Sequence, residues 1–163
     1  MKSLFTLLII FLLFLVYCDQ GLAPSEPEAK ITSVSGTVFF KNWPPPDSIF
    51  DLRMLLFLSY PLTDIQSEIL SGKAVIYPAL TDTTRLPFYV DSLNYRIVLN
   101  PGTYKYFTIA QQYGPNYLQD WQVVGTYDTS ATDTLPTPVI LTEGEQLENI
   151  NIQANFDSVL FRP

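Results

Sequence analysis

The sequence predicts an all-β fold: an antiparallel two-layer sandwich of seven or eight strands with one short helix, preceded by an export signal. Three observations carry that expectation. From Ile31 onward, short apolar or alternating runs are punctuated by Pro, Gly, Asn and Asp every eight to fifteen residues or so, the rhythm of strands and turns. In "NINIQANF", Ile150, Ile152, Ala154 and Phe156 point one way and Asn149, Asn151, Gln153 and Asn155 the other, one face dry and one wet. At the other end of the chain, Leu4 to Tyr17 is an uncharged oily run behind Met1, Lys2 and Ser3, the layout of a secretory signal.

Taken from the N-terminus, residues 1–17 are the signal segment. A helix of fourteen residues spans only ~21 Å, short of the ~30 Å hydrocarbon core, so export is favoured over a permanent membrane helix. The alternatives are a plain secretory peptide, cut after Cys18 or Ala23, and an uncleaved anchor. Residues 18–30, with "DQGLAPSEPEAK" after Cys18, hold two prolines, small residues and acids, and read as a tether. Extended at ~3.1 Å per residue, its last twelve residues would reach ~37 Å.

Residues 31–163 form the expected sandwich. Strands are predicted at Ser35 to Lys41 and at Leu52 to Tyr60, the latter with Leu52, Met54, Leu56 and Leu58 on one face. Shorter ones are predicted at Ala74 to Tyr77, Pro87 to Val90, Gln122 to Tyr127 and Val139 to Thr142. "LNYRIVLNPGTYKYFTIAQQY" reads as a hairpin whose Asn100-Pro101-Gly102-Thr103 supplies a type II turn. Residues 104–110 within it are apolar on nearly both faces, as in an inner strand. "TDIQSEILSG" predicts a two-turn helix: Gln66 lies three residues after Thr63, Ile65 and Ile69 share a face, and Gly72 stops it. Trp43-Pro44-Pro45-Pro46 predicts a stiff crossover, with a PxxP partner ligand as the alternative reading.

Composition removes several chemistries. Nine basic against sixteen acidic residues give a net charge of −7, which repels phosphate backbones, so no nucleic acid partner is expected. A single cysteine allows no internal disulfide, and the absence of histidine removes the usual zinc sites and every histidine-based nucleophile relay. The many carboxylates offer pairs for glycoside hydrolysis but no reason to choose one, and scattered surface acids explain their number better. In "TYDTSATDTLPT", Asp128 and Asp133 could form a calcium corner, though a solvated turn closed by Asp and Thr is the plainer reading. "QQYGPNYLQDW" sets Tyr113, Tyr117 and Trp121 among Gln111, Gln112, Asn116 and Gln119, a mixture suited to stacking on a sugar while bonding its hydroxyls. The competing reading is that these aromatics seal the end of the core. No catalytic residue, cofactor or metal is assigned.

Two resemblances add to this. Leu15-Val16-Tyr17-Cys18, read with its flanks, resembles the lipobox of bacterial lipoproteins, which implies that Cys18 is lipidated and becomes the first residue of the mature chain. "SVSGTVFF", "VLNPGTYKYFTIA" and "LTEGEQLENINIQANF" resemble the carboxypeptidase regulatory-like domain, a transthyretin-like or prealbumin-like sandwich akin to the immunoglobulin-like class. Such domains are non-catalytic accessory modules. Together the resemblances imply a lipid-anchored module of the bacterial cell envelope, at the outer membrane or cell surface. Its partners would be the membrane, through the lipid, and an envelope protein or glycan. Its role would be structural or protein-binding, with carbohydrate binding by the 111–121 loop as the alternative.

Overall fold

Pairing between distant segments organises the chain. In the computed structural model, which describes residues 30–62, 65–130 and 135–158, strand β1 (Ser33–Lys41) lies between two partners far from it in sequence. On one side it pairs antiparallel with β4 (Ser92–Val98), on the other in parallel with β9 (Gln146–Leu147) and then β10 (Ile152–Asn155). The sheet continues from β10 through β7 (Trp121–Thr126), β6 (Tyr106–Gln112) and β2 (Asp51–Phe57) to β3 (Ala74–Tyr77). Two short strands, β5 (Gly102–Tyr104) and β8 (Val139–Leu141), pair separately. The described residues thus form ten strands, three of them only two or three residues long.

Two layers arise because the large sheet curls until its halves face each other. Val34 and Val38 of β1, Tyr95 and Ile97 of β4 and Ile152 of β10 pack against Leu52, Met54 and Leu56 of β2, Phe107 and Ile109 of β6 and Val124 of β7. Tyr95 meets Phe107 edge-on at 5.8 Å across the core. The curl brings the two sheet edges, β3 and β4, to a common seam. The 78–91 segment joining them spans that seam and sends Leu86 into the core.

The outer face of β2 and β6 is buried as well. Leu55, Phe57, Tyr106 and Ala110 lie under the helix α1 (Ile65–Leu70), which contributes Ile65 and Ile69, and beside Tyr60, Leu62 and Trp121. Gly72, at a φ of 72° that suits glycine, ends the helix as expected. Thr63 falls outside the described residues. Every residue of β2 and β6 is buried, which accounts for the doubly apolar run the sequence carries there.

Several expectations are met. The parity of β10 is as predicted, with Ile150, Ile152, Ala154 and Phe156 buried, and β3 spans Ala74–Tyr77 as read. Trp43 and the prolines after it carry the chain from one wall to the other. The Trp43 ring stacks on Phe156 at 4.3 Å, and its Nε1 donates to the Val90 carbonyl at 2.9 Å.

Others are corrected. The sheet is mixed rather than wholly antiparallel, because β1 and its partners β9 and β10 run in the same direction. The hairpin expected over 93–113 does not form: β4 pairs with β1 and β6 with β2 and β7. Gly102 has a φ of 159°, far from the roughly +80° of a type II turn, so the chain crosses between walls and pairs β5 with β8 instead. Tyr95, Ile97, Phe107 and Ile109 all need an apolar partner, and they cover one another face to face across the core. Pro87 to Val90 is not a strand, although Phe88 and Val90 still pack on the core. β2 stops at Phe57, leaving Leu58 exposed.

Gly36 is required by contact. Between β9 and β10 the chain bulges over Gly36, and Asn149 at the bulge has φ 63°. A Cβ on Gly36 would sit 2.0 Å from the Ile150 carbonyl oxygen. That same oxygen accepts a 2.5 Å hydrogen bond from the buried Tyr95 hydroxyl.

Candidate functional site

Residues 113–120 close the β6–β7 ladder, whose last pair is Gln112 with Trp121. The loop is held by its own polar groups. The Tyr113 N–H donates to the Asp120 carbonyl at 2.8 Å, and the Asp120 carboxylate accepts the Asn116 N–H at 2.8 Å. Asn116 is engaged at both ends of its amide: Oδ1 accepts from the Leu118 N–H and Nδ2 donates to Gln119 Oε1. Trp121 Nε1 donates to the Tyr117 carbonyl at 2.7 Å. These bonds satisfy a tight turn that would otherwise leave backbone groups unpaired.

The predicted residues are therefore together, in a particular geometry. Tyr117 is 43 % exposed, while Tyr113 and Trp121 are half-buried. Tyr117 and Trp121 meet edge-on, with centroids 5.9 Å apart and planes at 81°, so they do not form one flat platform. Gln111 and Gln112 lie beneath, while Gln119 is exposed in the loop. Gln111 donates to the Ser48 carbonyl and accepts from Gln122, and Gln112 donates to the Gly114 carbonyl. The large apolar groups the loop offers outward are the Tyr117 ring and Leu118, 66 % exposed, whose carbonyl accepts from the Gln66 amide of α1.

Beneath the loop lies a group the sequence reading missed. Asp51 and Arg53 are both buried, and Arg53 Nε donates to Asp51 Oδ2 at 2.8 Å. Arg53 Nη1 also donates to the carbonyls of Pro78, Ala79 and Thr84, fastening the seam segment to β2. Burial raises the Tyr117 phenol above its ordinary value, with the Arg53 cation opposing the shift and the Asp51 carboxylate adding to it. A signal was available: Asp51 and Arg53 share the face of Leu55 and Phe57, an apolar face that needed cover. Opposite charges two apart on such a strand fit a pair buried together.

Asp128 closes its own turn, its Oδ1 accepting from the Ser130 N–H and the Thr137 hydroxyl. Asp133 and Cys18 fall outside the described residues. Among the described residues, no three His, Cys, Asp or Glu side chains gather as a metal set. A cleft of about 340 Å³ runs along the seam between Tyr77 and Pro78 on one side and Leu93 to Tyr95 on the other, with Asp82 and Arg85 at its rim.

No family model, curated protein or solved structure matches this chain.

Proposed function

We propose that this chain is a lipid-anchored module of the bacterial cell envelope, tethered through Cys18, with a structural or protein-binding role and no catalytic step. The observation that carries the protein-binding part is the edge of β4. This seven-residue strand pairs with β1 on one side, and its other side borders the seam cleft. Leu99 N–H donates toward β1, so by strand alternation the N–H groups of Ser92, Asn94, Arg96 and Val98 face away from β1, an arrangement suited to the addition of a partner strand.

The anchoring part is supported by the oily 4–17 run and the single cysteine that ends it. The carboxypeptidase regulatory-like affinity is supported by two of the three segments that suggested it, since β1 and the β9–β10 segment are neighbours in one sheet. The second reading, carbohydrate binding, has the exposed Tyr117 ring in its favour. The commitment of Asn116 within the loop and the edge-on ring pair favour the first.

Two substitutions test the reading. Cys18→Ser should move the protein from the membrane to the soluble fraction, and unchanged membrane association would refute the lipid anchor. Asn94→Pro blocks an outward N–H at the cost of one exposed hydrogen bond from Thr37. It should dissolve complexes isolated from native membranes while leaving the melting curve intact, and complexes that survive it would refute strand addition at β4.

A further inference from the structure

Exposed aliphatic side chains gather near Lys30, just ahead of β1. Ile31 is 55 % and Val98 69 % exposed. They stand on the same side of the β1–β4 ladder, because Val98 lies opposite Ser33 and Leu99 N–H extends the pairing to the Thr32 carbonyl. Both line one shallow groove of about 450 Å³, with Lys30, Leu99, Pro101 and Glu143. Ile140, 57 % exposed, lies opposite Thr103 of β5, two residues beyond Pro101.

The chain outside this end suggests what covers it. Residues 1–29 include the oily 4–17 run and Cys18, and they join the fold at the groove's own Lys30. We infer that this end of the sandwich docks on the bilayer surface, with Ile31 and Val98 entering the boundary between headgroups and acyl chains. This rests on the lipid-anchor reading of Cys18. The net charge of −7 disfavours an anionic surface, and the groove's lining carries one charge of each sign, Lys30 and Glu143, so the surface is one of zwitterionic headgroups. Docking would hold the domain at the surface, although a fully extended tether would allow ~37 Å of separation. It turns the opposite end, with Trp43, Phe156 and Tyr89, away from the membrane.

The test uses the full chain purified from native membranes and reconstituted in phosphatidylcholine vesicles, with a polarity-sensitive thiol dye. The parent, Val98→Cys and Asp157→Cys chains are each labelled. Position 157 is exposed at the far end, just after β10. Docking predicts an unlabelled parent, a blue-shifted dye at position 98 that lipid-borne quenchers reach, and a water-like dye at position 157. It also predicts that trypsin cuts after Lys30 severalfold faster in an Ile31→Ser/Val98→Ser chain than in the parent. An unlabelled parent with equally water-like dyes at 98 and 157 would overturn docking and leave the anchor standing. A parent that labels at Cys18 would overturn the anchor, and docking with it.

Discussion

Gly36→Ala should be among the most damaging one-carbon changes available to this protein. The new Cβ would lie 2.0 Å from the Ile150 oxygen and 2.5 Å from its carbonyl carbon, over an ångström inside ordinary contact. The neighbour is backbone, so no rotamer change relieves the clash, and overpacking of this kind costs about 1–3 kcal/mol. Moving the Ile150 carbonyl also strips the Tyr95 hydroxyl of its acceptor. A buried polar group left unmatched costs about a further 1–3 kcal/mol. The sum, roughly 2–6 kcal/mol, is a large share of the 5–15 kcal/mol that holds a typical domain together. For a domain of about 130 residues it corresponds to a melting point lower by roughly 8–20 °C. Urea unfolding followed by Trp43 and Trp121 fluorescence measures the loss. Because Gly36→Ala and Tyr95→Phe both act through one carbonyl, the double variant should lose about 1 kcal/mol less than the two single losses together. A Gly36→Ala protein that melts with the parent, or a double variant that is fully additive, would refute this account.

Arg53→Met leaves the Asp51 carboxylate buried without its cation, a loss of about 3–5 kcal/mol, and frees residues 78–84 to exchange amide hydrogens faster. Adding Asp51→Asn should restore much of the stability, and a single variant as stable as the parent would refute the structural role of the pair. Ile152→Asp puts an unpaired charge at a fully buried site and should abolish the cooperative melt, whereas a normal melt would mean that β10 faces the other way.

Stability should also fall in alkali. Burial raises the Tyr95 phenol, with Tyr127 adding to the shift, so the fold holds this group neutral. Its contribution is complete below the unfolded value of about 10 and declines as pH rises above it. Tyr95→Phe should flatten that decline in urea midpoints measured across the range, and an unchanged slope would count against it. Glu145 shifts the other way. The Thr142 N–H and hydroxyl hold its carboxylate below the ordinary range, so the turn it ties is firm above that range and loosens as pH falls through the folded value. An NMR titration midpoint at the ordinary glutamate value would contradict this.

How much of the 113–120 loop could be read from the sequence follows from the range of the forces involved. Tyr113, Tyr117 and Trp121 are near in sequence and had to be near in space. Their angle and exposure depend on α1, which the chain places over the loop through Gln66 and Leu118. The Asp51–Arg53 pair escaped notice because two charges at the start of a strand pass for solvated groups until a segment from elsewhere, residues 78–84, folds over them.

The sequence by itself determined most of the segments that extend and, at β10, which side turns inward. Period two in "NINIQANF", the doubly apolar run at 104–110 and the glycine that stops α1 are local, and local sterics with water are enough to decide them. Tertiary structure alone decided which strands lie side by side. A dry face is satisfied by any apolar cover, and closing a longer loop adds little entropy cost, so β1 could take β10, more than a hundred residues away, as its parallel neighbour. For the same reason β4 and β6, joined by an apparent Pro-Gly turn, became opposite walls instead of partners.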